Sequence, residues 1–487
     1  MKEQNNLITN VLGVTPISIL TPKEKWTYAI GNIPFSVKDA AFANFVIFYY
    51  TQVQGLSGTL AGLVMFITLT WDAVTDPVVG SWSDSVRSRW GRRHPLLVAG
   101  GVPTALLFMA LFSPPDSLGE TGMFIWFLAV AILLRTFLTI YFIPYTAMGA
   151  ELSTDYDERT VIAKARVTMG WLGGMALPAI GFALFFGVQE GVDGRLVADN
   201  YLHYGFLSAL VAGVAVLVCV VGTRSVIPRL PTAKNAQKFS WRAPINDLKL
   251  VLENRNFRMS VGANLAFGMS TGVYGTLSLY LGTYFWEFSA QQLAGMVFPV
   301  AGATLLVFVA LNHLGQRYDK PKLLVVFSLA LALNGFWFIG ARLLGFLPEN
   351  GHSLIYLLLM INTGIGVFMI VGIQVMASSL SADIIDQQEI TSGRRQEGVV
   401  FAAGAFVAKA TTGVGALIAG IVIDVAGLKA GSIPGHVDES VLQSLGWFTL
   451  AMTGGLSLLA CFYYSRLRLG REEHLEMRRQ LDLGSKS

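Results

Sequence analysis

Apolar stretches long enough to cross a membrane occupy almost the whole chain. Crossing about 30 Å of hydrocarbon takes about 20 residues of helix, and such stretches recur about twelve times in the 487 residues. Apolar residues make up 53% of the sequence and charged residues only 14%, a composition that a soluble protein could not bury. The sequence therefore predicts an all-α membrane protein.

We place the predicted membrane spans in two groups of six and number them span 1 to span 12. They lie at 26–52, 58–83, 95–113, 122–150, 167–187, 203–223, 259–286, 291–314, 323–341, 353–382, 398–427 and 443–465. The predicted parts are an N-terminal segment at 1–25, a six-helix bundle at 26–223, a middle loop at 224–258, a second six-helix bundle at 259–465 and a tail at 466–487.

Lysine and arginine collect on one side of this arrangement. The connection 84–94, the middle loop and the tail are rich in them, whereas the connections on the other side carry mainly acids. Basic loops stay in the cytoplasm, so we expect both termini and the middle loop there, in a bacterial inner membrane. The net charge of +4 follows from this topology and requires no nucleic-acid partner.

Two carboxylates interrupt span 2. Asp72 and Asp76 are four residues apart, which places them on one helix face with Cβ atoms about 6 Å apart. Two anions this close in a poorly hydrated site repel each other unless a cation or a proton neutralises them. This favours a coupling-ion site, with an ion-pair network between these acids, Arg135 and Lys409 as the structural alternative.

The charges inside the spans balance when Asp424, near the outer end of span 11, is left out. They are three acids and three bases: Asp39, Asp72, Asp76, Lys38, Arg135 and Lys409. One added cation can then change which partners pair, which is the minimum needed to link ion binding to a conformational change. We therefore predict that Lys409 and Arg135 take part in coupling and that the chain is a transporter.

A short repeat marks one connection in each half. Gly80-x-x-x-Asp84 precedes a basic run that contains Arg89 and Arg92, and Gly315-x-x-x-Asp319 precedes two lysines. Glycine permits close helix approach, and the charges can pin neighbouring helix ends in one state and separate in another. We predict that Asp84, Arg89, Arg92 and Asp319 form a conformational gate.

Several motifs occur in a characteristic order. They are Lys38-Asp39, Trp71-Asp72-Ala-Val-Thr-Asp76-Pro77, Arg87-Ser-Arg89-Trp90-Gly91, Ile143-Pro144-Tyr145, Glu158-Arg159-Thr160, Ala382-Asp383-Ile-Ile-Asp386 and Lys409. In this the chain resembles the glycoside-pentoside-hexuronide:cation symporters, the melibiose permease group of the major facilitator superfamily. The resemblance implies twelve helices in two bundles, alternating access, and sugar uptake driven by Na⁺, Li⁺ or H⁺.

The resemblance also implies roles for individual residues. Asp72, Asp76 and Thr139 match the cation site, where the two aspartates would be metal ligands if the ion is Na⁺. Lys38, Asp39 and Arg166 match positions at the sugar. Phe142 stands where melibiose permease has an aspartate that touches both ion and sugar, and Gln374 stands in place of a tryptophan that stacks on the sugar. Arg135 adds a positive charge to this region. Together with these departures, it makes H⁺ at least as good a candidate for the coupling ion as Na⁺.

Two other functions stay open at this point. Parts of span 2 and span 4 also resemble eukaryotic sodium-dependent lysophospholipid symporters, which need an apolar slot for an acyl chain. Gly268-Met-Ser270-Thr-Gly272 matches a hydrolase nucleophile pattern but lies inside span 7 without a histidine at that depth. We expect no enzyme activity, no cofactor beyond the coupling ion, a sugar or glycoside substrate and a monomer in the bilayer.

Overall fold

A computed structural model describes residues 20–153, 155–189, 191–230, 252–392 and 397–470, together with 473 and 476. The predicted N-terminal segment, middle loop and tail lie largely outside these residues. Each of the twelve predicted spans corresponds to one or more helices in the described residues, which confirms the predicted fold class.

The helices have the following bounds, with π-helical turns marked. Span 1 is Pro22–Ile30 and Ile33–Ala41, then π turns at Phe42–Val46 and Tyr49–Val53; span 2 Gly58–Ser85; span 3 His94–Leu111; span 4 Glu120–Glu151; span 5 Tyr156–Leu184; span 6 Ala198–Gly222; span 7 Arg255–Tyr280, then a π turn at Leu281–Phe285; span 8 Ala290–Ala294 and Val297–Arg317; span 9 Lys320–Gly335, a π turn at Phe336–Gly340, then Ala341–Leu343; span 10 Ser353–Ser392; span 11 Glu397–Ala426; span 12 Glu439–Ser465. A short β-hairpin precedes span 6; its two antiparallel strands, Val188–Gln189 and Val192–Asp193, have two residues each.

Two helices extend well beyond their apolar stretches. Span 5 begins at Tyr156, eleven residues before the predicted 167, because Asp155 caps its first turn by accepting a hydrogen bond from the Glu158 N–H. Span 10 continues to Ser392, ten residues past the predicted 382. Both extensions are charged, so hydropathy marks where each helix leaves the membrane rather than where it ends.

Span 1 is broken after its first helix. A capping box starts that helix, in which Thr21 accepts from the Glu24 N–H and the Glu24 carboxylate accepts from the Thr21 N–H. Gly31 follows, and a Cβ there would come within 2.6 Å of the Tyr145 ring and of Cys219 Sγ. A glycine at this bend therefore lets span 1 lie directly against spans 4 and 6.

Among the described residues, the spans pack as two bundles that meet mainly along three helix pairs. Spans 1 to 6 contact one another, as do spans 7 to 12, and the most extensive contact in the molecule joins span 2 to span 11. Smaller contacts join span 1 to span 7 and span 5 to span 8. Spans 2 and 11 approach so closely because glycines face each other: a Cβ on Gly420 would lie 2.0 Å from the Gly58 carbonyl oxygen.

Candidate ion and substrate site

Following the predicted topology, we call the end of the molecule with connection 54–57 the outer end and the end with connection 86–93 the inner end. Asp72 lies between them, buried, and pairs with Arg135 of span 4 (Nη1 to Oδ2, 2.5 Å). The guanidinium also lies 4.6 Å from the centre of the Phe42 ring. Asp72 Oδ1 and Arg135 Nε have no hydrogen-bond partner among the described residues. This pair lies wholly within the first bundle.

Asp76 has a different environment. Its Oδ1 accepts a hydrogen bond from Thr139 (3.1 Å), and its Oδ2 pairs with Lys409 Nζ of span 11. The side chains of Asp76 and Lys409 are 26% and 31% exposed, so neither is fully buried. The Asp76–Lys409 pair therefore joins the two bundles near the middle of the spans.

The structure matches each span 2 acid with its own base, in the arrangement that the ion-pair alternative predicts. Two acids and two bases leave this site neutral without an added ion. In the described part of the chain, no cluster of three or more His, Cys, Asp or Glu side chains is placed to hold a metal ion. A hard cation here would have to compete with Lys409 and to complete its shell with hydroxyl and backbone oxygens.

Lys38 and Asp39 lie beside each other on span 1. Lys38 is buried, pairs with Asp39, and holds its ammonium 4.4 Å from the centre of the Phe35 ring. The rings of Phe35 and Phe142 stack with their centroids 3.9 Å apart, so Phe142 packs on the ring that contacts the Lys38 ammonium. The Asp39 side chain is 55% exposed although it lies mid-span, and a charge at that depth is expected to face water rather than lipid.

The other two predicted substrate residues lie apart from this pair. The Arg166 backbone oxygen accepts a hydrogen bond from the Asn32 side-chain amide (3.1 Å). Arg166 therefore contacts span 1 at Asn32, which lies six residues before Lys38, roughly 9 Å along the helix. Gln374 is exposed on span 10, with no hydrogen bond to another described residue.

Acids and bases also cluster at the inner end of the first bundle. Arg93 pairs with Asp84 at 2.7 Å and with Glu151 at 2.5 Å, and Arg92 pairs with the same glutamate at 2.6 Å. Arg89 is exposed. Sequence reasoning named Asp84 and Arg92 but missed Arg93 and Glu151. Arg93 was present in the basic run, and only the packing of spans 2, 3 and 4 distinguishes it from its neighbours.

The second bundle has a corresponding inner cluster. Asp319 precedes span 9 and pairs with Lys322 at 3.0 Å, while Lys320 pairs with Asp383 of span 10 at 2.6 Å. In both halves these contacts stay within one bundle. They hold neighbouring helix ends together without linking the two bundles at the inner end.

Hydrogen bonds do link the bundles at the outer end. Thr51 meets the Tyr280 hydroxyl at 2.5 Å, and the Tyr284 hydroxyl donates to Gln52 at 2.9 Å. Asp424 of span 11 accepts from the backbone N–H groups of Gly58 and Thr59, both at 2.7 Å, and so caps span 2 across the interface. These hydrogen bonds hold the outer ends of the two bundles together in this structure.

Ser270 is a packing residue. Its hydroxyl lies 3.0 Å from both the Thr453 carbonyl oxygen and the Ser457 hydroxyl of span 12. Gly268 and Gly272 bring span 7 against span 11, where a Cβ would clash with Thr411 and Thr412. The pattern is thus a helix contact without a base, and the prediction of no enzyme activity is supported by the transporter relatives described next.

Comparison with known proteins extends along nearly the whole chain. The family model described as MFS/sugar transport protein matches residues 27–471. YagG of Escherichia coli, whose name gives a provisional assignment as a glycoside/cation symporter, is 25% identical over 85% of this chain and 85% of its own. The isoprimeverose transporter of Lactiplantibacillus pentosus is 21% identical over 91% of this chain and 88% of its own.

Two further comparisons bear on fold and on the alternative substrate. The inward-open xylose transporter XylE from Escherichia coli superposes with a TM-score of 0.59 at 13% identity, covering 94% of this chain and 98% of its own, which shows a shared fold. The sodium-dependent lysophosphatidylcholine symporter 1-A of Danio rerio is 30% identical, but over only 33% of this chain and 30% of its own.

Proposed function

The chain belongs to the family of MFS/sugar transport proteins, and on that premise we propose that it is a cation-coupled symporter that imports a sugar or glycoside by alternating access. The observation that carries this proposal is the Asp76–Lys409 pair, which joins the two bundles where water can reach it. A transporter needs such a contact, because the coupling ion must act on an interaction that differs between the two states.

Coupling would follow from competition at Asp76. When a cation neutralises this carboxylate, Lys409 loses its partner, and the contact between span 2 and span 11 weakens at mid-membrane. Because these spans belong to different bundles, ion occupancy changes the preferred position of one bundle relative to the other. Thr139 would then orient the neutralised carboxyl group, since its hydroxyl already lies 3.1 Å from Asp76.

The finer proposal is that the coupling ion is a proton. A proton requires only one carboxylate oxygen, whereas Na⁺ requires several oxygens arranged around it. Arg135 already occupies one oxygen of Asp72, and its guanidinium would repel a second cation beside it. Protonation of Asp76 would leave the extra positive charge on Lys409, which water can solvate.

Asp39 is the proposed contact for the substrate. A carboxylate accepts strong hydrogen bonds from hydroxyl groups, and this one faces the water-filled cavity while Lys38 holds it in place. Arg166, Gln374 and Phe142 remain proposed substrate residues. The relatives named as glycoside and isoprimeverose transporters support this substrate class.

The test is uptake by proteoliposomes with an imposed H⁺ gradient, an imposed Na⁺ gradient, or neither. The substrates are radiolabelled xylose, galactose, glucuronate, isoprimeverose and one lysophospholipid. We expect accumulation of a sugar that depends on the H⁺ gradient. Accumulation with Na⁺ alone would refute the proton, and movement of the lysophospholipid without any sugar would refute the substrate class.

Matched variants test the coupling pair. Lys409→Gln and Asp76→Asn should each abolish uphill accumulation, because either change removes the ion-sensitive contact. Lys429→Gln and Asp116→Asn are the controls, since both residues are exposed outside the helices. Normal accumulation by both Lys409→Gln and Asp76→Asn would exclude the proposed mechanism.

Orientation, location and oligomeric state are further predictions. The basic connections favour cytoplasmic termini in a bacterial inner membrane, and we propose that the protein is a monomer.

A further inference from the structure

Trp171 is a large, partly exposed side chain near the middle of span 5. It is 42% exposed, although span 5 packs along span 1. A Cβ on Gly170 would lie 3.1 Å from Ser36 Oγ, and a Cβ on Gly174 would lie 3.7 Å from Ser36 Cβ. These glycines mark the face of span 5 that lies on span 1. Successive residues of a helix are about 100° apart, so Trp171 points to one side of this contact.

The side to which Trp171 points faces the second bundle. Phe182 follows Trp171 by eleven residues, which is three helical turns and about 20°, so the two side chains lie in one stripe of span 5. Phe182 lines a cavity together with Trp286 and Leu293 of the second bundle. Span 5 contacts the second bundle mainly at Ala290–Ala294, the outer helix of span 8. Trp171 lies about 16 Å nearer the inner end than Phe182, so its exposed surface faces a gap between the bundles.

Asp39 of span 1 lies on the same side of the contact between spans 1 and 5. Three residues of the helix Ile33–Ala41 turn through about 300°, so Asp39 lies about 60° from Ser36 in the backward sense. Trp171 lies about 100° from Gly170 in the forward sense. Both spans run from the inner to the outer end, and rotations of opposite sense from a shared contact turn two side chains to the same side of a parallel pair. Asp39 and Trp171 therefore face the same space.

The two side chains also lie at similar depth. Ser36 is level with the midpoint between Gly170 and Gly174, because it would contact a Cβ on either. Asp39 is three residues nearer the outer end than Ser36, and Trp171 is one residue nearer the inner end than that midpoint. The separation along the helix axes is then about 6 Å, an interval that a single sugar ring can bridge.

A carboxylate and an indole offer complementary contacts to such a ring. A pyranose carries hydroxyl groups at its rim and, in most configurations, C–H bonds on at least one face. The Asp39 carboxylate can accept hydrogen bonds from the hydroxyl groups, and the flat Trp171 indole can remove the C–H face from water. We propose that Trp171 is a substrate-binding residue on which a pyranose ring stacks while its hydroxyl groups donate to Asp39. This inference rests on the proposed function.

Cysteine labelling tests where Trp171 points. Trp171→Cys and Leu172→Cys would each be exposed to a charged, water-soluble maleimide in the purified full-length protein. Leu172 is 56% exposed but points away from span 1 and from the stripe of Trp171. After subtraction of the labelling of the parent at Cys219 and Cys461, we expect Trp171→Cys to react tenfold or more faster than Leu172→Cys. An equal or lower rate would place Trp171 toward lipid and overturn the proposal.

Affinity tests the stacking contact. The measurement is equilibrium binding of radiolabelled xylose, galactose, glucuronate and isoprimeverose to the purified proteins. Trp171→Ala should weaken binding of at least one sugar tenfold or more, and Trp171→Phe should keep it within about threefold, because a phenyl ring retains a flat apolar face. Leu172→Ala is the control and should bind like the parent. A change within twofold in Trp171→Ala for every sugar, or no binding of any sugar by the parent, would overturn the proposal.

Transport assays separate this inference from the proposed function. In gradient-driven uptake, Trp171→Ala should raise the sugar concentration for half-maximal rate tenfold or more, while uptake at saturating sugar stays within about twofold. A lower saturating rate at an unchanged half-maximal concentration would assign Trp171 to a contact between the moving bundles and overturn its binding role. Sugar affinity that depends on Trp171, without gradient-driven accumulation of any sugar, would keep the binding residue and overturn the symporter.

Discussion

The Arg135→Met substitution should destabilise the protein by several kcal/mol. Arg135 is 2% exposed, and its removal leaves the buried Asp72 carboxylate without a partner on either oxygen. Breaking a buried ion pair in this way costs about 3–5 kcal/mol. The lost contact with Phe42 adds about 0.5–2 kcal/mol.

The double variant distinguishes an unpaired charge from lost packing. Asp72→Asn in the Arg135→Met background removes the unpaired charge. Most of the stability lost with the ion pair should therefore be recovered, and only the contribution of the Phe42 contact stays lost. We would measure the midpoint of thermal unfolding of the purified proteins in one detergent, as a double-mutant cycle. Arg135→Met should lower the midpoint by several degrees, and the double variant should recover more than half of that.

Two results would refute the reasoning. One is a double variant no more stable than Arg135→Met, which would mean that the cost comes from lost packing. The other is an Arg135→Met protein as stable as the parent, which would mean that Asp72 has other neutralising contacts.

Two further predictions concern the outer end. Gly420→Val should abolish transport, because the valine side chain would overlap the Gly58 backbone and hold spans 2 and 11 apart. Gly455→Val is the control: no atom lies within 4 Å of a Cβ at that position, so this variant should transport normally in the same uptake assay. Asp424→Asn should weaken the cap on span 2 by about 1 kcal/mol. A cysteine introduced by Gln52→Cys should then react severalfold faster with an impermeant maleimide. Unchanged labelling would show that this cap does not hold the outer end closed.

Hydropathy predicted all twelve spans because a helix that crosses a membrane must be apolar along most of its length. It could not predict where helices run past the membrane, as spans 5 and 10 do, since charged extensions are held by caps and neighbouring helices. The hydropathy pattern also did not predict the π turns of span 1.

The charged residues inside the spans were identified correctly as a set, because a charge at mid-span is visible against an apolar background. Their pairing was not decidable. Asp72 and Asp76 lie on one helix face and look equivalent, yet one is matched inside its bundle and the other across bundles. Asp424, set aside as a residue near a helix end, forms the cap that joins spans 2 and 11.

The hydrogen bonds at the outer end also bear on turnover rate. Thr51–Tyr280, Gln52–Tyr284 and the contacts of Asp424 lie on the ends of packed helices, so they must break together when this end opens. At about 0.5–1.5 kcal/mol each, they add several kcal/mol to the activation barrier. The rate at which this end opens should therefore fall steeply on cooling.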